Sequence, residues 1–244
     1  MTTIRVLAVL VALSWSVDAL AQDPPPPTHE QTFEAAFVGV TGNASSTTFG
    51  LGADVVSRPD SWLIRNKVAF VRNESNDVLV ANAFDFTSRG QHTLTPRVSV
   101  FGEYGFFRDR FAGVSSRNTG TGGLAVKVLD SDGQVLNLEA GLGYVNESRL
   151  TGEDISSASY MAATGYRLAI TETAELVDDL RLSGIFAESG NWRLEHTIGL
   201  TTRIAAGLSL KVSHAVRYAH SPPPGFRKTD AIMSVALVAR FAQP

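Results

Sequence analysis

Apolar and polar residues alternate with a period of two along most of this chain. Leu136, Leu138, Ala140, Leu142 and Tyr144 share one face of an extended segment, and Asn137, Glu139, Gly141 and Gly143 share the other. In Met233 to Phe241 the apolar face is Met233, Val235, Leu237, Ala239 and Phe241, with Ser234 and Arg240 opposite. Val98, Val100, Tyr104 and Phe106 face away from Arg97, Ser99 and Glu103. Leu208, Leu210, Val212, Val216 and Tyr218 likewise face away from Ser209, Lys211, Ser213 and Arg217. Such segments have the length a tilted transmembrane strand needs, roughly nine to eleven residues or slightly more.

Turn signals divide these segments. They fall at Gly42-Asn43, Arg58 to Asp60, Asn73 to Asp77, Arg89-Gly90, Arg108 to Arg110, Asp130 to Gly133, Asn146 to Asp154, Thr171 to Thr173, Gly190-Asn191, Ala206-Gly207 and Ser221 to Lys228. The expected fold is therefore all-β, a closed antiparallel transmembrane β-barrel of about 12 strands, an even number as in bacterial outer membranes. With the N-terminus in the periplasm, the odd-numbered turns lie outside the cell. They include the two longest, while the even-numbered ones are tight. Trp62, Tyr104, Phe106, Tyr144, Trp192 and Tyr218 are expected near strand ends, where amphipathic rings sit at headgroup level.

The N-terminus has the three parts of an export signal. Arg5 gives the positive start, Val6 to Val17 the apolar stretch, and Ala19-Leu20-Ala21 a small-residue cleavage site, so residues 1–21 are expected to be removed. Asp18 interrupts the apolar run, which falls short of a membrane-spanning helix. Residues 22–32, centred on Pro24 to Pro27, are expected to form a stiff periplasmic tether, leaving residues 33–242 for the barrel.

Composition narrows the function. The formal charge of -3 and the lack of a basic stripe argue against nucleic acid. The chain has no cysteine, hence no disulfide framework and no lipid anchor at the cleavage site. A mean hydropathy near zero suits a barrel, because lipid-facing and lumen-facing residues average out. The expected setting is the outer membrane of a Gram-negative bacterium. Its lipids, lipopolysaccharide and the barrel assembly machinery are the expected partners, the barrel being a monomer without cofactor or metal.

The inward face is charged. Arg65, Lys67, Arg97, Glu103, Glu139, Arg167, Arg181, Glu195, Arg217 and Arg240 are its candidate lumen residues, together with Asp54, Lys127, Asp179, Arg193, Arg203 and Lys211. Mixed signs should pair across and narrow the lumen, and the surplus of cations should favour anions in whatever path remains.

Several segments resemble one known family. They are Gly42 to Asp54, Arg65-Asn66-Lys67, Tyr104 to Phe111, Gly141 to Tyr144, and Tyr218 through Pro224-Gly225-Phe226 to Asp230. The family is that of salt-induced outer-membrane proteins, YdiY-like, also called domain of unknown function 481. The resemblance implies an outer-membrane barrel of unsettled function and brings no catalytic residues with it.

Other motifs carry less. Gly50-x-Gly52 and Gly141-x-Gly143 lie inside alternating strands with no helix following, so they read as small residues in a crowded wall and not as a nucleotide loop. Glu147, Glu153 and Asp154 read as a solvated loop; their spacing is not that of a calcium site. His196 and His214 index to the lipid-facing side, which makes a lipid-acting barrel enzyme the alternative function. Ser209, Ser213 and Ser234 index to the opposite face, so no nucleophile is expected within reach of either histidine. His29, His92 and His220 lie in the tether or near strand ends without metal-ligand spacing.

Overall fold

A strand that crosses lipid must pair every backbone N–H and C=O with a neighbour, and twelve strands do so here by closing into a ring. The computed structural model describes residues 28–40, 46–76 and 78–243. The leader and most of the tether lie outside the described residues, as does the Gly42-Asn43 turn. The strands are β1 (His29–Val40), β2 (Ser46–Ser57), β3 (Trp62–Ser75), β4 (Val78–Thr95), β5 (Val98–Asp109) and β6 (Val114–Ser131). They continue as β7 (Gln134–Arg149), β8 (Ile155–Ala169), β9 (Ala174–Ile185), β10 (Trp192–Ala205), β11 (Leu208–Ala219) and β12 (Thr229–Gln243). Each pairs antiparallel with its sequence neighbours, and β1 closes the ring on β12 with His29 opposite Gln243 and Ala35 opposite Leu237.

Three expectations are corrected. His29 to Thr32, assigned to the tether, are strand residues paired with both β2 and β12, so the barrel begins at His29. Arg89-Gly90 is no turn but the interior of β4, with Arg89 opposite Arg65 on one side and Glu103 on the other. The turn is Pro96-Arg97, where Thr95 Oγ1 accepts from the backbone N–H groups of Arg97 (3.3 Å) and Val98 (3.0 Å). Proline has no N–H to lose there and presets its own φ. Arg97 accordingly sits exposed in a turn at the rim instead of in the lumen.

Turns of two to four residues, such as 96–97 and 206–207, mark the end that carries both termini. The longer connections, 150–154, 186–191 and 220–228, mark the far rim. Facing follows the period of two. Leu142 is 66% exposed and Met233 75% exposed on the outer wall, whereas Ala236 and Val238 between the outward positions of β12 are buried within. Trp192 packs with Tyr218 and His220 at the far rim, and Trp62 with His92 at the other, as an aromatic belt requires. Tyr104 instead lies mid-strand, donating to Asn118 Oδ1 across the outer face at 2.7 Å.

The lumen is crowded on one side. A Cβ on Gly123 would stand 2.3 Å from the Ala140 carbonyl oxygen, and one on Gly143 2.2 Å from that of Gly120. Only glycine lets β6 and β7 approach so closely on their inner faces, and Phe101, Ala125 and Met161 pack against one another beside them.

Arginine at Leu142 or Leu237 should cost about 2 to 4 kcal/mol, because both stand on the lipid face, and arginine at Ser234 clearly less. The measurement is the denaturant midpoint of the folded form that resists detergent until boiled. Equal losses on both faces would disprove the register.

Candidate functional site

Two layers of ion pairs cross the lumen. In the first, Arg89 donates from both terminal nitrogens to the two carboxylate oxygens of Glu139 (2.8 and 2.9 Å), with a longer bond to Glu103 (3.3 Å), and its guanidinium stacks 4.0 Å above the Phe101 ring. Arg181 donates to the other oxygen of Glu103 at 2.7 Å. The chain Glu139, Arg89, Glu103, Arg181 thus ties β7, β4, β5 and β9 together. Bidentate, charge-assisted bonds of this kind fix orientation as well as adding attraction.

The second layer lies nearer the far rim. Glu147, wholly buried, accepts from Arg117 Nε (2.5 Å), Arg149 Nε (2.7 Å) and Arg193 (2.9 and 3.1 Å). This corrects the loop reading of Glu147: it is the most enclosed charge among the described residues, inside β7, while Asp154 caps the following turn by accepting from the Arg149 backbone N–H at 2.9 Å. Three cations around one carboxylate hold it fast, and Val145, Ile155 and Ile185 pack together in the same far-rim half of the barrel.

The ten candidates divide between these layers and the rest of the lumen. Glu103, Glu139 and Arg181 belong to the first layer. Arg65 grips Asp54 on the adjacent strand, with its Nε 2.9 Å from Oδ1. Arg167 and Arg240 lie towards the terminal rim beside Glu175 (3.7 Å) and Glu30 (3.3 Å). Arg217 reaches from β11 towards the opposite wall, 3.9 Å from Asp85 and 4.9 Å from the centre of the Phe107 ring. Lys67 and Glu195 make no ion pair among the described residues. Arg97 is outside the lumen. Arg89 and Glu147 escape the sequence reading because a polar run and a Glu-Ser dipeptide both look like turns, and no local spacing marks Arg117.

Above Arg217 the far mouth is crossed by a strap, residues 220–228. Thr151 donates to the Pro224 carbonyl at 2.7 Å, and Pro223 and Phe226 crowd Gly113 so closely that a Cβ there would lie 2.9 and 2.7 Å from them. Gly113 also has φ +79°, and Gly152, at φ +82°, faces Pro224. The strap joins β11 to β12, whereas Gly113 and Thr151 belong to connections on the opposite side of the ring.

Lower down the lumen admits water. Lys67 and Ala69 of β3 are exposed on the inner wall, and so are Asp179 and Thr197, paired neighbours on β9 and β10 across the ring. The space between these walls is a water-accessible vestibule below the far mouth that the strap crosses.

A model of the family described as "Protein of unknown function, DUF481" matches residues 33–241. The chain belongs to this family. An outer-membrane channel from Pseudomonas putida F1 is similar to this DUF481 barrel with a TM-score of 0.53 at 10% identity, over 92% of this chain and 100% of that one. The NanC porin gives a TM-score of 0.49 at 9% identity, over 88% and 99%. The KdgM porin gives 0.44 at 7%, also over 88% and 99%. The likeness to the Pseudomonas channel shows the fold, that of an outer-membrane β-barrel. No curated protein matches the sequence.

On the outer wall of the DUF481 barrel, His196 Nε2 stands 2.9 Å from Asp178 Oδ1, and both side chains face lipid. His214 faces the same way two strands from Asp178, with Ile198 between them. A base and the group that orients it are therefore present, but the hydroxyls of Ser213 and Ser234 bond each other inside the lumen at 2.8 Å. The residues flanking His196 on its own face are Leu180, Leu194, Ile198 and Val216.

Replacing Glu147 with Ala should lower stability by about 3 to 5 kcal/mol, because three largely buried guanidiniums lose their counter-charge. Removing Glu74, whose pair with Arg72 is exposed at the far rim, should change it by about 0 to 1 kcal/mol. Denaturant midpoints in detergent compare the two, and a Glu147 variant as stable as the parent would show that the layer carries no load.

Proposed function

We propose that this barrel is a narrow pore of the Gram-negative outer membrane whose far mouth is closed by the strap and by Arg217. The observation that carries the reading is the water-accessible wall formed by Lys67, Ala69, Asp179 and Thr197; beyond the two ion-pair layers the far mouth is barred by one long side chain and one loop instead of a packed domain. Twelve strands suit such a path: about eight enclose only side chains and 16 to 18 leave an open channel. The reading includes export by the cleavable leader, insertion by the barrel assembly machinery, and a far rim set among lipopolysaccharide.

Selectivity is weak in this account. Glu34, Asp85 and Glu147 add to the anions inside and Arg97 leaves for the rim, but Arg89, Arg117 and Arg149 join the cations, so the surplus shrinks only slightly, and most of it is paired, as Lys211 is with Glu34 at 2.7 Å. A slight anion preference then rests on Lys67, which faces the vestibule without an ion-pair partner among the described residues, and Asp179 on the opposite wall opposes it. A lipid-acting enzyme is the second reading, favoured by the Asp178–His196 contact and opposed by the placement of Ser213 and Ser234 inside the lumen. Incubation with phospholipid micelles should release no fatty acid.

Single-channel recording in planar bilayers should show small, infrequent openings for the parent. The pair Arg217→Ser and Phe226→Ser should raise the open probability or the conductance several-fold by clearing both levels of the mouth. Lys67→Ser should shift the reversal potential in a salt gradient towards cations. If the parent and the double variant are both electrically silent, the pore reading fails and a structural role in the envelope replaces it.

A further inference from the structure

Between the two ion-pair layers the lumen holds a chamber of about 160 Å³, whose lining residues the pore reading does not use. Its lower side is Met161 with the Glu103–Arg181 pair, its upper side Arg117 and Arg193, and Asp85 and Glu195 also line it. A cavity of about 150 Å³ accommodates a six-membered ring. The walls are polar, and several of their side chains are unpaired. Glu195 makes no ion pair or side-chain hydrogen bond among the described residues, nor do the hydroxyls of Thr119, Thr121, Ser159 and Ser183. Among the described residues Asp85 has only the 3.9 Å approach of Arg217.

We infer that this chamber binds a neutral, polyhydroxylated solute of monosaccharide size, an inference that rests on the lumen being open to solutes. The wall excludes simpler ligands by its signs. An anion that reached Arg117 and Arg193 would also meet Glu103 and Glu195. A cation held by Glu195 and Asp85 would meet Arg181. Each hydroxyl of a polyol both donates and accepts, so it donates to the carboxylates, accepts from the guanidiniums, and bonds Ser159 and Ser183 in either sense. The C–H face of a sugar ring finds apolar contact in Met161 and Ile185. Polar groups left without partners when such a ligand is absent favour the ligand that pairs them all.

The test is isothermal titration of the full-length barrel in detergent with glucose, galactose and mannose, beside glucuronate and glutamine as anionic and zwitterionic probes of similar size. At least one neutral hexose should bind with a Kd on the order of 1 to 10 mM, more tightly than either charged probe. Ser159→Leu, which fills the chamber, should abolish binding, and Glu195→Gln should weaken it about tenfold, while both variants keep the boiling-dependent gel shift. Preference for glucuronate or glutamine, hexose binding that survives Ser159→Leu, or no hexose binding at all would each overturn the inference. Titration needs no current. A barrel that binds hexose yet is silent in bilayers therefore refutes the pore and keeps the chamber, and one that conducts without binding does the reverse.

Discussion

Everything in this barrel depends on a single requirement, that no backbone polar group be left unpaired in lipid. An open sheet would leave two edges of such groups in hydrocarbon, so β1 and β12, the ends of the chain, must find each other. Closure in turn fixes facing. Once the ring is shut, each strand has one side for lipid and one for the lumen, and the alternation of Leu138 with Glu139 or Leu237 with Ala236 ceases to be a pattern and becomes a wall.

The circumference of twelve strands then sets the problem for the interior, which is too wide for ordinary side chains to fill and too narrow to be bulk water. Arginine suits it, with a long stem and a planar head able to bridge two carboxylates at once, as Arg89 does between Glu139 and Glu103. Glycines on β6 and β7 draw that wall inward and let Phe101 and Met161 close one side. What remains open is displaced towards β3, β9 and β10.

The strands were legible because period two needs no knowledge of partners, and the same reasoning placed His196 and His214 on the lipid face. The turns were less so. Ser88, Gly90 and His92 are small or polar on the outward face, which made β4 read as if it broke at Arg89-Gly90, while Pro96-Arg97 six residues on carried the plainer signal. That one displacement hid Arg89 from the lumen and put Arg97 into it. Glu147 was hidden by a similar confusion, for its three arginines come from β6, β7 and β10 and no local spacing announces them. The strap was beyond reach for a related reason: Pro224 meets Thr151 across 73 positions of sequence.

The seam between β1 and β12 differs from the other pairings in its history. Among the described residues its register runs from His29–Gln243 to Ala35–Leu237, seven pairs against the twelve that join β1 to β2. Every other junction is a hairpin, formed by segments a few residues apart, whereas this one must bring together residues separated by nearly the whole chain, at the entropic disadvantage of a very long loop. Folding therefore has a natural order, with eleven local zippers first and one distant latch last. The latch is also the shortest. A barrel built this way stores its slowest step and its weakest line of hydrogen bonds in the same place, which makes the two ends of the chain the site where assembly is completed and where lateral opening under stress would start.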